Sequence, residues 1–102
     1  MQGIEKRAHP RVPLVAKVDV ESEGYAFLAV MQDVSSGGMR IATANPLPAG
    51  TPIELTFVLP PERKIRVRAV VRHVVEGSAM GVQFENLAPE DAAALREFTQ
   101  NQ

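Results

Sequence analysis

The sequence contains no cysteine and no tryptophan. Without cysteine there can be no disulfide framework, no thiolate zinc site and no thiol nucleophile. Aromatics are scarce, with four Phe and one Tyr. A core must therefore come from Val, Leu, Ile, Ala and Met. No apolar run approaches the length of a membrane span. The opening residues Met1-Gln2-Gly3-Ile4-Glu5-Lys6 lack the hydrophobic stretch of a secretory signal. The expected location is cytoplasmic. Strong charge of either sign is also missing, since the net charge is −1. That balance argues against general nucleic-acid binding, which usually needs a strongly basic domain.

What is present fits one small globular domain. The chain has 102 residues, 45% of them apolar and 23% charged. Its charges are unevenly spread. Arg63, Lys64, Arg66, Arg68 and Arg72 fall in one short segment with no acid inside it. From Glu76 onward the acids outnumber Arg96 by five to one.

Alternation with period two dominates the middle of the chain. Leu14, Ala16, Val18 and Val20 alternate with Val15, Lys17, Asp19 and Glu21, which predicts a half-buried strand. Glu23-Gly24 reads as a turn and 25–32 as a second strand. Residues 33–38 read as a loop and 39–43 as a short third strand. Ile53, Leu55, Phe57 and Leu59 mark a fourth. In a long fifth, Ile65, Val67, Ala69 and Val71 face inward, and Lys64, Arg66, Arg68 and Arg72 face outward. Met80, Val82 and Phe84 mark the inner face of a sixth. Met31, Met39 and Met80 read as core filler. After Pro89 the period changes. Glu90 and Asp91 suit a helix N-terminus, and Leu95 and Phe98 can share one face of about three turns. Six short strands and a final helix predict an all-β fold, a six-stranded antiparallel β-barrel with a short C-terminal α-helix, because closure removes exposed strand edges.

Two constellations can carry chemistry. Arg7 and Arg11 stand four apart, and Pro10 disfavours helix at His9, so the segment is extended. Guanidinium groups grip phosphate through paired bonds and can pair with the O6 and N7 acceptors of guanine. The plain alternative is a solvated basic tail. Asp33, Ser35 and Gly38 form the second group. A carboxylate can accept from the N1 and N2 hydrogens of guanine, and a hydroxyl can donate to a phosphate oxygen. Gly38 can admit a ligand close to the backbone and permits positive φ. The alternative is a hairpin turn in which Asp33 and Ser35 bond local amides.

Together with Gly81-Val82-Gln83-Phe84, these two groups resemble the signature of the PilZ domain family. The resemblance covers residues 6–87. It implies a six-stranded barrel with helical additions, the strand number already reached from alternation, and it implies binding of cyclic di-GMP. By this resemblance Arg7 and Arg11 contact guanine and phosphate. Asp33 and Ser35 engage a base and a phosphate, and Gly38 keeps the loop compatible. The implied organisation is a flexible arm over 1–12, a barrel over 13–88, and a helix and tail over 89–102. No cofactor besides the ligand is expected, and the output is a changed surface read by an unidentified partner protein. Two other readings stay open: a ligand-free interaction module of the same fold, and an RNA-binding barrel using Lys64, Arg66, Arg68 and Arg72. Neither metal binding nor catalysis is expected. His9 and His73 lie far apart with no thiolate partners, and Ser35 lacks the glycine two residues earlier that a nucleophile elbow requires.

Overall fold

The computed structural model describes residues 10–101. Strands β1 (Val12–Ser22), β2 (Tyr25–Val34), β3 (Gly38–Ala42), β4 (Pro52–Leu59), β5 (Arg63–Val75) and β6 (Ala79–Glu85) precede helix α1 (Pro89–Gln100). They form a closed barrel in the order β1-β2-β3-β6-β5-β4, with every pairing antiparallel. Closure runs through β1 and β4, where Val18 faces Phe57 and Val20 faces Leu55.

Local chemistry explains the connections. Glu23 and Gly24 take φ of 49° and 80°. Two consecutive positive values give the two-residue hairpin whose twist matches the flanking strands. The inward row of every strand is apolar, as the alternation predicts. Val18, Met31, Met39, Ile41, Leu55, Ile65, Val71 and Met80 are all buried in one cluster. The flexible methionines fill this core together with the stacked pair Phe57 and Phe84.

Helix α1 carries acids in its first turn and Pro at its start. Leu95 is completely buried, and Ala94, Phe98 and Leu87 pack against the same core. Burying one leucine side chain contributes about 1.5–3 kcal/mol. A forked contact from Arg63 Nε and Nη2 to Asp91 Oδ1, at 3.0 and 2.9 Å, ties the helix to the start of β5.

β2 extends beyond the sequence expectation, and the extra length matters. Val12 pairs with Val34, and Pro13 with Asp33. On the other side Asp33 pairs with Arg40 after a register shift between Met31 and Asp33. Met31 and Val34 are both buried, so Gln32 and Asp33 bulge together onto the outer side. Strict alternation from Ala29 and Met31 would have pointed Asp33 into the core. The bulge re-aims it.

Candidate functional site

Asp33 stands on the bulge, and Arg11 sits just ahead of β1, beside it. Arg11 Nε lies 3.5 Å from Asp33 Oδ1, and the two side chains are 29% and 27% exposed. This is an ion pair without hydrogen-bond geometry. Asp33 Oδ1 is buried and accepts no hydrogen bond among the described residues. A buried acceptor left without a donor costs about 1–3 kcal/mol. Arg7, the other half of the arginine pair, lies outside the described residues, as does His9.

Ser35 has a different placement. Its hydroxyl is buried and accepts from the backbone N–H of Gly37 (3.0 Å) and Gly38 (3.1 Å). The hydroxyl in turn contacts the Gly38 carbonyl at 3.4 Å. The Ser35 N–H also donates to the Gly38 carbonyl, at 2.8 Å. The turn between β2 and β3 is thus organised around this one hydroxyl. The hairpin reading therefore holds for Ser35, whereas Asp33 Oδ1 accepts no hydrogen bond among the described residues.

Gly38 does not use the positive φ that glycine permits; among the described residues the glycines that do are Gly24, Gly50 and Gly77. Its need for glycine comes from β6. A Cβ at Gly38 would run into the Val82 carbonyl oxygen, and it would lie 3.3 Å from Gln83 Cα. The missing side chain lets the loop press on the neighbouring strand, where Phe84 N–H donates to the Gly37 carbonyl at 2.8 Å.

Two further arginines flank this surface. Arg40, the cross-strand neighbour of Asp33, donates from Nε to Gln32 Oε1 at 3.1 Å. Arg72 donates from Nε to Gln83 Oε1 at 2.8 Å, and Gln83 is the partner of Gly38. Both bonds use Nε and hold the guanidinium from one side. Sequence reasoning missed Arg40, although its outward parity between Met39 and Ile41 was a usable signal. Behind the loop, Pro10, Ser36, Leu87 and Arg96 line a groove of about 410 Å³ against α1.

The remaining arginines of β5 do not form a cationic track. Arg66 pairs with Glu54 at 2.9 Å. Arg68 lies opposite both Glu54 and Glu85. The hydrogen bond from Arg66 holds the Glu54 carboxyl below its usual range, against slight desolvation, and raises Arg66 in turn. A groove of about 490 Å³ near the β1–β2 turn is lined by Glu21, Glu23, Glu54 and Glu85. Its carboxylates disfavour an anionic ligand.

The arrangement at Arg11 and Asp33 offers a guanidinium and a carboxylate acceptor on a rigid turn. A family model for the PilZ domain matches residues 5–101. Among solved structures, the Bacillus subtilis inhibitor of motility, MotI/DgrA, superposes with a TM-score of 0.87 at 25% identity, covering 96% of this chain and 51% of that one. The MrkH–c-di-GMP complex of K. pneumonia gives 0.78 at 19% identity, covering 96% and 52%. The PilZ domain of YcgR from Escherichia coli, solved with c-di-GMP, gives 0.74 at 17% identity, covering 95% and 91%. The chain therefore spans about half the length of MotI and MrkH. At their lower identities, MrkH and YcgR speak for the fold alone. No curated protein matches the sequence. With a family match over nearly its whole length, a closed six-stranded barrel and a complete pair of signature motifs, the chain belongs to the PilZ domain family.

Proposed function

We propose that this protein is a non-enzymatic receptor for cyclic di-GMP that regulates a partner protein when the nucleotide binds. The observation that carries the reading is the buried, unsatisfied Oδ1 of Asp33 beside Arg11. A guanine edge presents two N–H donors suited to one carboxylate, and a phosphate diester presents the anion suited to a guanidinium. Arg7 and Arg11 would grip guanine and phosphate, and Asp33 would take the base edge. Gly38 and Ser35 would serve by holding the turn that aims Asp33, with the Ser35 hydroxyl available to a phosphate only if it leaves its backbone bonds. Family membership and the c-di-GMP complexes of MrkH and YcgR support the ligand.

Calorimetric titration of the full chain with cyclic di-GMP tests the reading. Wild type should bind with micromolar or tighter affinity. Arg11→Ala and Asp33→Ala should each weaken binding roughly 10- to 100-fold, the value of one charge-assisted hydrogen bond of about 1.5–3 kcal/mol. No heat with wild type, or unchanged binding in Arg11→Ala, would exclude the receptor and favour a ligand-free interaction module.

A further inference from the structure

An apolar surface lies on the outer face of β1, β2 and β4, around the barrel from Arg40 and Arg72. Val15 is 78% exposed, Leu28 59%, Val58 50% and Val30 41%. The register places three of them. Val30 faces Lys17 and Leu28 faces Asp19 across β1–β2. Val58 faces Lys64 across β4–β5. Lys17, Asp19, Leu28, Val58 and Lys64 line one shallow groove of about 380 Å³. Single exposed aliphatics are ordinary on a protein surface, but contiguous ones mark a partner site.

Charge divides this face. Its apolar end carries Lys17 and Lys64, and neither has an ion pair among the described residues. Arg63 and Arg66 nearby are both paired. One acid, Asp19, lines the groove with the two lysines, opposite Leu28, and the further acids Glu21 and Glu54 lie towards the β1–β2 turn. The groove thus offers branched aliphatics with two ammonium groups and one carboxylate beside them, a net positive charge.

The fold narrows the kind of occupant. The barrel is closed and leaves no edge strand to which an extended peptide could add. What remains is an element laid across the face. The geometry points to this groove as the docking site for an acidic amphipathic helix of a partner protein. Its apolar stripe would rest on Leu28, Val30 and Val58, and its flanking carboxylates would meet Lys17 and Lys64. Coulomb attraction between these exposed charges would weaken as salt rises. The inference goes beyond the receptor reading and stands whether or not the nucleotide binds.

Two synthetic helical peptides, each roughly 18 residues long, provide the probe. Both carry leucine at the same i, i+3, i+4, i+7 positions. One has glutamate flanks and the other lysine flanks. In amide-shift titrations of the labelled full chain, the glutamate peptide should perturb Val15, Lys17, Leu28, Val30, Val58 and Lys64, and bind at least tenfold more tightly than the lysine peptide. Val58→Glu and Lys64→Glu, both at exposed positions, should remove that binding while the melting temperature stays near wild type. Equal affinity for the two peptides, shifts centred elsewhere, or no binding at millimolar peptide would overturn the proposal. So would self-association lost in Val58→Glu by sedimentation, which would make a second copy the occupant. Binding to phosphatidylglycerol-containing vesicles through the same residues would overturn it in favour of a lipid surface.

Discussion

Gly38→Ala separates two explanations of the last residue in the loop motif. If glycine is needed only so that a ligand can approach, the substitution should abolish nucleotide binding and leave the fold untouched. The packing argues otherwise, because the new methyl would collide with the Val82 carbonyl oxygen, which is backbone and cannot rotate away. β3 would have to separate from β6 where Gly38 pairs with Gln83 and Met39 with Val82. Overpacking of this kind costs about 1–3 kcal/mol. Losing the bond from Phe84 N–H to the Gly37 carbonyl adds about 0.5–1.5 kcal/mol. A total of about 1.5–4.5 kcal/mol is a large share of the about 5–15 kcal/mol that keeps a domain folded. The melting temperature should fall by on the order of 6–35 °C. Urea titration followed by circular dichroism, with no nucleotide present, reads the effect directly. A Gly38→Ala protein with wild-type stability that has lost only its affinity would refute the packing account.

Ser35→Ala should lower stability by about 1–3 kcal/mol in the same assay, because two loop amides lose their acceptor. Hydrogen exchange at Gly37 and Gly38 should speed up with it. Leu95→Ala, at a position with no exposure, should cost about 2–5 kcal/mol and loosen α1 from the barrel. Calorimetric melting and the fluorescence of a hydrophobic dye would register both consequences. For Glu54 the sign runs with its lowered pKa. The Arg66 contact stabilises the folded state at neutral pH, and this is lost as pH falls through the depressed midpoint. Carbon-detected titration should place Glu54 below an ordinary glutamate, and Arg66→Ala should raise it.

Much of the fold was legible because the barrel obeys two simple periods. Ile65, Val67, Ala69 and Val71 are buried where alternation placed them, and Lys64, Arg66 and Arg68 are exposed. Pro89, Glu90 and Asp91 open the helix as their chemistry predicts. The site was only half legible. Arg11 and Asp33 do meet, across an approach that no local pattern reveals. The bulge between Met31 and Asp33 was not legible at all, because it depends on how β2 pairs with β1 and β3 together. The reason for glycine at 38 was hidden for the same cause: the obstructing atom belongs to Val82, far along the chain.

The motif therefore divides its labour. Ser35 and Gly38 build the turn and fit it to β6, and a barrel of this kind would need them with or without a ligand. Asp33 is different, since its Oδ1 accepts no hydrogen bond among the described residues and faces the Arg11 guanidinium at 3.5 Å. An interaction module that never bound nucleotide would carry that acceptor without a hydrogen bond, a cost of about 1–3 kcal/mol that the Arg11 ion pair offsets in part. A receptor recovers it when a base supplies the donors. Ser35 and Gly38 thus speak for the fold, and the proposed receptor reading rests on the carboxylate that the bulge turns outward.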